Sequence, residues 1–190
     1  MQFSNLLSDA VLAATGVYVF LRFFNNRPHF EKLLWGIFLI TLSVTATAGV
    51  VRFAGISDII PMHLTLQLLA GSLGVLGLVV AVWYSVSKQK ATATVFYATV
   101  VVGFAVFVFF TQSPYGGFAI VLQSLAMLVV MLLAVWGLLQ KQKNAVWFVV
   151  GVMVAGIATK ASSLGLPFNN IDTYHYALAM ALLAFGKGAN

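Results

Sequence analysis

Seven apolar runs of roughly membrane-crossing length leave this chain one way to satisfy its backbone. A helix needs about 20 residues, each rising about 1.5 Å, to cross a hydrocarbon core of roughly 30 Å. Runs near that length fall at 5–25, 31–54, 62–86, 92–111, 117–139, 144–161 and 171–186. Lipid offers peptide groups no hydrogen-bond partner, so each run is expected to be helical. The fold class that follows is all-α, a polytopic seven-transmembrane-helix bundle forming a single domain over residues 1–190. Composition agrees, because 7% of residues are charged against about 25% in soluble domains. The absence of cysteine excludes disulfides, thiolate metal ligands and iron–sulfur clusters. A net charge of +6 would suggest nucleic acid in a soluble protein, but these charges lie between apolar runs and report orientation instead, so no nucleic-acid partner is expected.

Arg22, Arg27, Lys32, Lys88, Lys90, Lys141, Lys143 and Lys187 fall on one side, and only Arg52 and Lys160 on the other. Eight against two places the N-terminus outside and the C-terminus in the cytoplasm, by the positive-inside rule. The first run has no basic stretch before it and ends in Arg22 and Arg27, so it reads as a retained anchor rather than a cleaved signal. The expected location is a bacterial or archaeal plasma membrane, crossed several times. The last run is short and opens on Asp172 and His175, so it either packs inside the bundle or enters the membrane with a wet end. An internal echo joins Ala81-Val82-Trp83 and Lys88-Gln89-Lys90 to Ala134-Val135-Trp136 and Lys141-Gln142-Lys143 at an offset of 53 residues. It fits either a duplicated helical pair or ordinary anchoring by interfacial Trp and Lys.

The chemistry gathers at the outer ends. Asp9, Asp58 and Asp172 are three of the four acidic residues, and the topology places Arg52, Lys160, His63 and His175 beside them. Ionisable side chains are costly in lipid and tend to face a cavity or one another, which predicts an outward-facing polar pocket. Thr41, Thr45, Ala48 and Arg52 lie at steps of four, three and four residues and share one helix face. Arg52 either snorkels to headgroups, paired with Asp9 or Asp58, or holds an anionic ligand group. His63 follows Pro61 in an opening helical turn with Gln67 one turn deeper, as a polar anchor or as a ligand or acid–base group.

In Asn169-Asn170-Ile171-Asp172-Thr173-Tyr174-His175-Tyr176, after Pro167, one asparagine is placed to cap the helix and Asp172 complements its positive end. Asp172 and His175 are three apart and within touching range, either as a cap and an interfacial aromatic or as a carboxylate that sets the imidazole tautomer. The candidate catalytic residues are therefore His175, Asp172 and His63, with Arg52, Lys160, Asp9 and Asp58 as candidate substrate-binding residues. His63, His175 and Asp172 are candidate metal ligands for zinc. His29 lies on the opposite side of the membrane and cannot join them.

Seven helices, an outer N-terminus and an Asp/His pair opening the last span resemble the superfamily of alkaline ceramidases and progestin/adiponectin-type receptors. Ser43, Asp58 or His63, and Asp172 with His175 carry the resemblance. It implies a seven-helix membrane hydrolase that uses zinc on lipid amides. The chain departs from that pattern where Ser43 is followed at four residues by Thr47 and His175 by Ala179. The family's three-histidine zinc site is therefore not carried over.

The leading expectation is an outward pocket for a lipid or small amphipathic ligand, extending to metal-dependent hydrolysis of a lipid amide or ester. Alternatives are electron transfer through haem b held by His63 and His175, transport of a small solute or ion past Arg52 and Lys160, and a structural membrane subunit. In the last case Gly71, Gly74 and Gly77 would pack against a partner subunit or a second copy in a homo-oligomer.

Overall fold

Helices account for every apolar run in the structure, a computed structural model that describes residues 2–112, 114–160 and 169–190. Among the described residues they are α1 (Gln2–Phe24), α2 (His29–Phe53), α3 (Ser57–Ser87), α4 (Ala93–Thr111), α5 (Phe118–Leu139), α6 (Ala145–Thr159) and α7 (Asn170–Ala189). The first five are long and apolar enough to cross a membrane, so the chain is a multi-pass membrane protein by length and composition. α6 is apolar but only 15 residues long. α7 buries Ala179, Ala181, Leu182, Ala184 and Phe185 on one face and leaves Tyr176, Met180 and Leu183 exposed on the other, so it packs against the bundle along one side.

Several helix ends follow from local turn chemistry. After α2, Gly55 takes a positive φ of 102°. Its N–H then bonds the Arg52 carbonyl at 3.1 Å and the Ile56 N–H bonds the Val51 carbonyl at 3.4 Å, closing the open end of the ladder. Lys88 and Lys141, the corresponding lysines of the internal echo, adopt left-handed conformations with φ of 56° and 62° at the ends of α3 and α5. Between those ends Trp83 stacks on Trp136 at 5.5 Å, and Gln142 Nε2 donates to the Val86 carbonyl at 2.7 Å. The two halves of the echo thus meet side by side in one helix pair.

Six helices close a ring in the order α1, α2, α3, α5, α6, α7 and back to α1, with α4 outside against α3. Lipid is as apolar as leucine, so the ring is held by close packing, which small residues permit. Gly151 of α6 receives the Phe185 ring, and Gly188 of α7 receives the Phe148 ring. The small surface on α3 is used within the chain, contrary to its reading as a docking face for another subunit. Gly71 receives Gln123 of α5, while Gly74 and Gly77 receive Thr41 and Ile37 of α2. Near these glycines the ladder widens into a π turn at Ala70–Gly74, and Thr45 Oγ1 lies between two acceptors, the Thr41 carbonyl at 2.7 Å and the Leu66 carbonyl just before the turn at 3.1 Å. Thr45 and Ala48 are buried, so the stripe behind Arg52 does face inward.

A Cβ at Gly151 would lie 2.7 Å from the Phe185 ring. Gly151→Val should therefore cost about 1–3 kcal/mol through overpacking and lower the thermal midpoint of the purified protein. An unchanged midpoint would contradict this packing.

Candidate functional site

The first turns of α1 and α7 carry polar residues at helical spacing, and they face each other. On α1, Asn5, Ser8, Asp9 and Leu12 fall at steps of three, one and three, so they share a face. All four are buried. On α7, Asn169 is the cap: its Oδ1 accepts the Ile171 N–H at 3.0 Å. The same side chain donates from Nδ2 to Asn5 Oδ1 at 2.6 Å, so the cap also ties α7 to α1. This helix end sets the height at which Asp172 and His175 meet Ser8 and Asp9. The expected loop-ending role of Pro167 lies outside the described residues.

Asp172 and His175 are joined through α1 and not directly. Ser8 Oγ donates to Asp172 Oδ1 at 2.7 Å and lies 3.2 Å from His175 Nδ1. Ser4 Oγ donates to Asp172 Oδ2. On the other side of the ring, His175 Nε2 sits 3.4 Å from Asp9 Oδ1. Asp9 is 2% exposed, and its second oxygen, Oδ2, is buried without a hydrogen-bond partner. The carboxyl fits because position 49 of α2 is glycine; a Cβ there would run into all three carboxyl atoms.

Two adjoining cavities meet at this wall. The outer one, of about 330 Å³, is lined by Asp9, Arg52, His63, Asn170, Tyr174 and His175 among others. The inner one, of about 630 Å³, shares Asp9, His63, Gln67, Thr159, Tyr174 and His175. It continues between apolar side chains such as Leu12, Phe38, Leu42, Val75, Met127 and Phe185. All six ring helices contribute to it, and α4 contributes nothing. Each volume lies within the roughly 300–1,000 Å³ usual for small-molecule sites.

The sequence-predicted residues separate into three groups. Asp9, Arg52, His63 and His175 line the outer cavity, and Lys160 lines the inner one. Asp172 lies behind Ser8, buried and outside both linings. Asp58 sits exposed in the turn that opens α3 and lines neither cavity. Arg52 forms no ion pair with Asp9 or Asp58; its guanidinium lies 5.3 Å from the Phe53 ring centroid. His63 Nε2 has a long 3.5 Å contact with Gln67, and His63 Nδ1 is buried without a partner.

These donors do not fit zinc or haem as they stand. Both ring nitrogens of His175 are engaged, by Ser8 and by Asp9, which leaves no lone pair directed at a metal. No group of three His, Cys, Asp or Glu side chains suited to a metal ion occurs among the described residues. Ser43, one of the positions behind the ceramidase resemblance, donates to the Leu39 carbonyl at 2.8 Å, abuts Gly16 and lines neither cavity. Sequence reasoning missed Ser4, Asn5, Ser8 and Gly49. The polar spacing of Asn5, Ser8 and Asp9 in an otherwise apolar run was the available signal, whereas Gly49 offered none.

Fold and site together define a helical membrane protein with a polar cavity wall closed over an apolar interior. The chain belongs to a family of unknown function, DUF6962, whose profile matches residues 4–190. No curated protein and no solved structure matches it.

Proposed function

We propose that the chain is a seven-span membrane protein, N-terminus outside, whose outward pocket binds one lipid-derived or small amphipathic molecule. The observation that carries this reading is the set of polar residues lining both cavities, Asp9, His63, Gln67, Thr159, Tyr174 and His175, with apolar side chains beyond it in the inner one. In this arrangement the head of the ligand sits among Asp9, His63, Arg52 and His175, and its apolar portion extends towards Phe38 and Phe185. Among the described residues Arg52 makes no direct ion pair and its side chain lines the outer cavity, so it is the natural anchor for a carboxylate or phosphate on the head. The reading keeps the lipid class of ligand implied by the ceramidase-type resemblance, without its metal chemistry. Binding is better supported than metal-assisted hydrolysis, because His175 is already held on both sides.

Alternation of seven helices puts the Asp9, Arg52 and Asp172 ends on one side and the lysine-rich ends on the other, which supports the outward placement of the pocket. Reporter fusions should find the C-terminus in the cytoplasm and the N-terminus outside. The reverse result would put the pocket on the inner face and end the outward reading.

A fluorescent single-chain amphiphile with an anionic head, titrated into the purified full chain in nanodiscs, tests the pocket. Ala70→Leu and Ala155→Leu both fill the inner cavity with side-chain volume and should each weaken binding about tenfold or more. Arg52→Gln should weaken the anionic probe about tenfold and leave a neutral-headed probe unchanged. Equal binding by all variants would overturn the proposal.

A further inference from the structure

Each hydrogen in the Asp9–His175–Ser8–Asp172 chain has one best place, and the assignment follows from counting donors. Ser8 has a single hydroxyl proton and two acceptors in reach, Asp172 Oδ1 at 2.7 Å and the Asn5 carbonyl at 3.0 Å. A carboxylate is the stronger acceptor and is also the nearer one, so the proton points to Asp172. Ser8 Oγ then accepts from His175 Nδ1, which fixes the Nδ1–H tautomer and leaves the Nε2 lone pair directed at Asp9 Oδ1. A neutral imidazole in that tautomer has only a lone pair to offer Asp9. The pair is satisfied when Asp9 supplies the hydrogen.

The buried oxygen Asp9 Oδ2 gives independent support. An ionised carboxylate with one oxygen buried and unpartnered is an expensive arrangement in an apolar bundle. If Oδ1 carries the hydrogen, Oδ2 is a carbonyl oxygen, whose need for a partner is much smaller. The orphaned oxygen and the tautomer fixed through Ser8 therefore agree on the same proton position.

We propose that these four side chains form a proton relay between the outer rim of the bundle and the cavity wall. It gives this protein a proton-exchange site at Asp9, in addition to ligand binding. In one passage the Asp9 hydrogen moves to His175 Nε2, the Nδ1 hydrogen moves to Ser8 Oγ, and the Ser8 hydrogen moves to Asp172 Oδ1. Three protons each shift by one bond, the negative charge moves from Asp172 to Asp9, and no electrons are exchanged with any other group. The rim end is reached through Ser4, an exposed residue whose hydroxyl bonds Asp172, and the inner end is Asp9 on the wall shared by both cavities. Arg52 of α2, His63 of α3, Lys160 just after α6 and Tyr174 of α7 are the other titratable groups that line these cavities. A molecule that gains or loses a proton in the inner cavity would thereby exchange it with the rim through Asp9.

The relay consists only of the protein's own groups, so its test is independent of any ligand. Infrared spectra of the full chain in nanodiscs separate protonated from ionised carboxyl groups. At neutral pH the wild type should show a carboxylic-acid C=O band that moves on transfer to D₂O and is absent in Asp9→Asn. Ser8→Ala should keep the band but slow its D₂O shift by about tenfold, the rate equivalent of losing one charge-assisted hydrogen bond. No such band in the wild type, or one that survives Asp9→Asn, would overturn the proposal. So would exchange in Ser8→Ala as fast as in the wild type. If Asp9→Asn fails to fold, the wild-type band and the Ser8→Ala rate still decide.

Discussion

A carboxyl group and an imidazole held together between α1 and α7 are the constraint on which one end of this bundle rests. Neither group belongs in an apolar interior alone. Leaving a buried polar group without its partner costs about 1–3 kcal/mol, more than the hydrogen bond itself contributes net. The surroundings of Asp9 answer this requirement at each point. Gly49 leaves room for the carboxyl, His175 meets one of its oxygens, and Ser8 links the imidazole on to Asp172. Asn169 fixes the depth of the pair by capping α7 and bonding Asn5 with the same side chain.

The ring topology makes a cavity wall out of this polar layer. Six helices enclose the space and α4 stays outside, so Asp9, Arg52, His63 and His175 turn towards the cavities. The opposite end of the bundle is built differently, with Phe24, Trp35 and Phe148 in a stacked aromatic run, at 4.7 and 6.1 Å. There Lys187 lies 4.4 Å from the Trp147 ring and Lys32 bonds Asn25 at 2.9 Å. One end is a solid aromatic core with a basic rim, and the other holds a polar cavity.

Most of the fold was legible from hydrophobic run length, because lipid removes every alternative to helix, and α1 to α7 begin and end close to the runs. The π turn at Ala70–Gly74 in α3 was not legible, since the contacts beside it, Gly71 with Gln123 and Gly74 with Thr41, are made with other helices. At the site, the rarity of ionisable residues pointed to Asp9, Arg52, His63 and His175, all of which reach the outer cavity. Serines escaped notice because they are ordinary in membrane helices, and the importance of Ser8 depends on a partner 164 residues away. The expected direct Asp172 and His175 contact failed for the same reason: helical spacing reports which residues share a face, not which neighbour inserts between them. The glycine row on α3 read as a docking face because close approach is visible in sequence, while the identity of the approaching helix is not.

Asp9 and His175 hold the polar layer together as a coupled pair. A double-mutant cycle with Asp9→Ala, His175→Ala and the combined variant, followed by unfolding of the purified chain, measures that coupling directly. A coupled pair should give an interaction energy of about 1–3 kcal/mol, with the second substitution costing much less once the first is present. Additive losses, within about 0.3–0.5 kcal/mol, would contradict it.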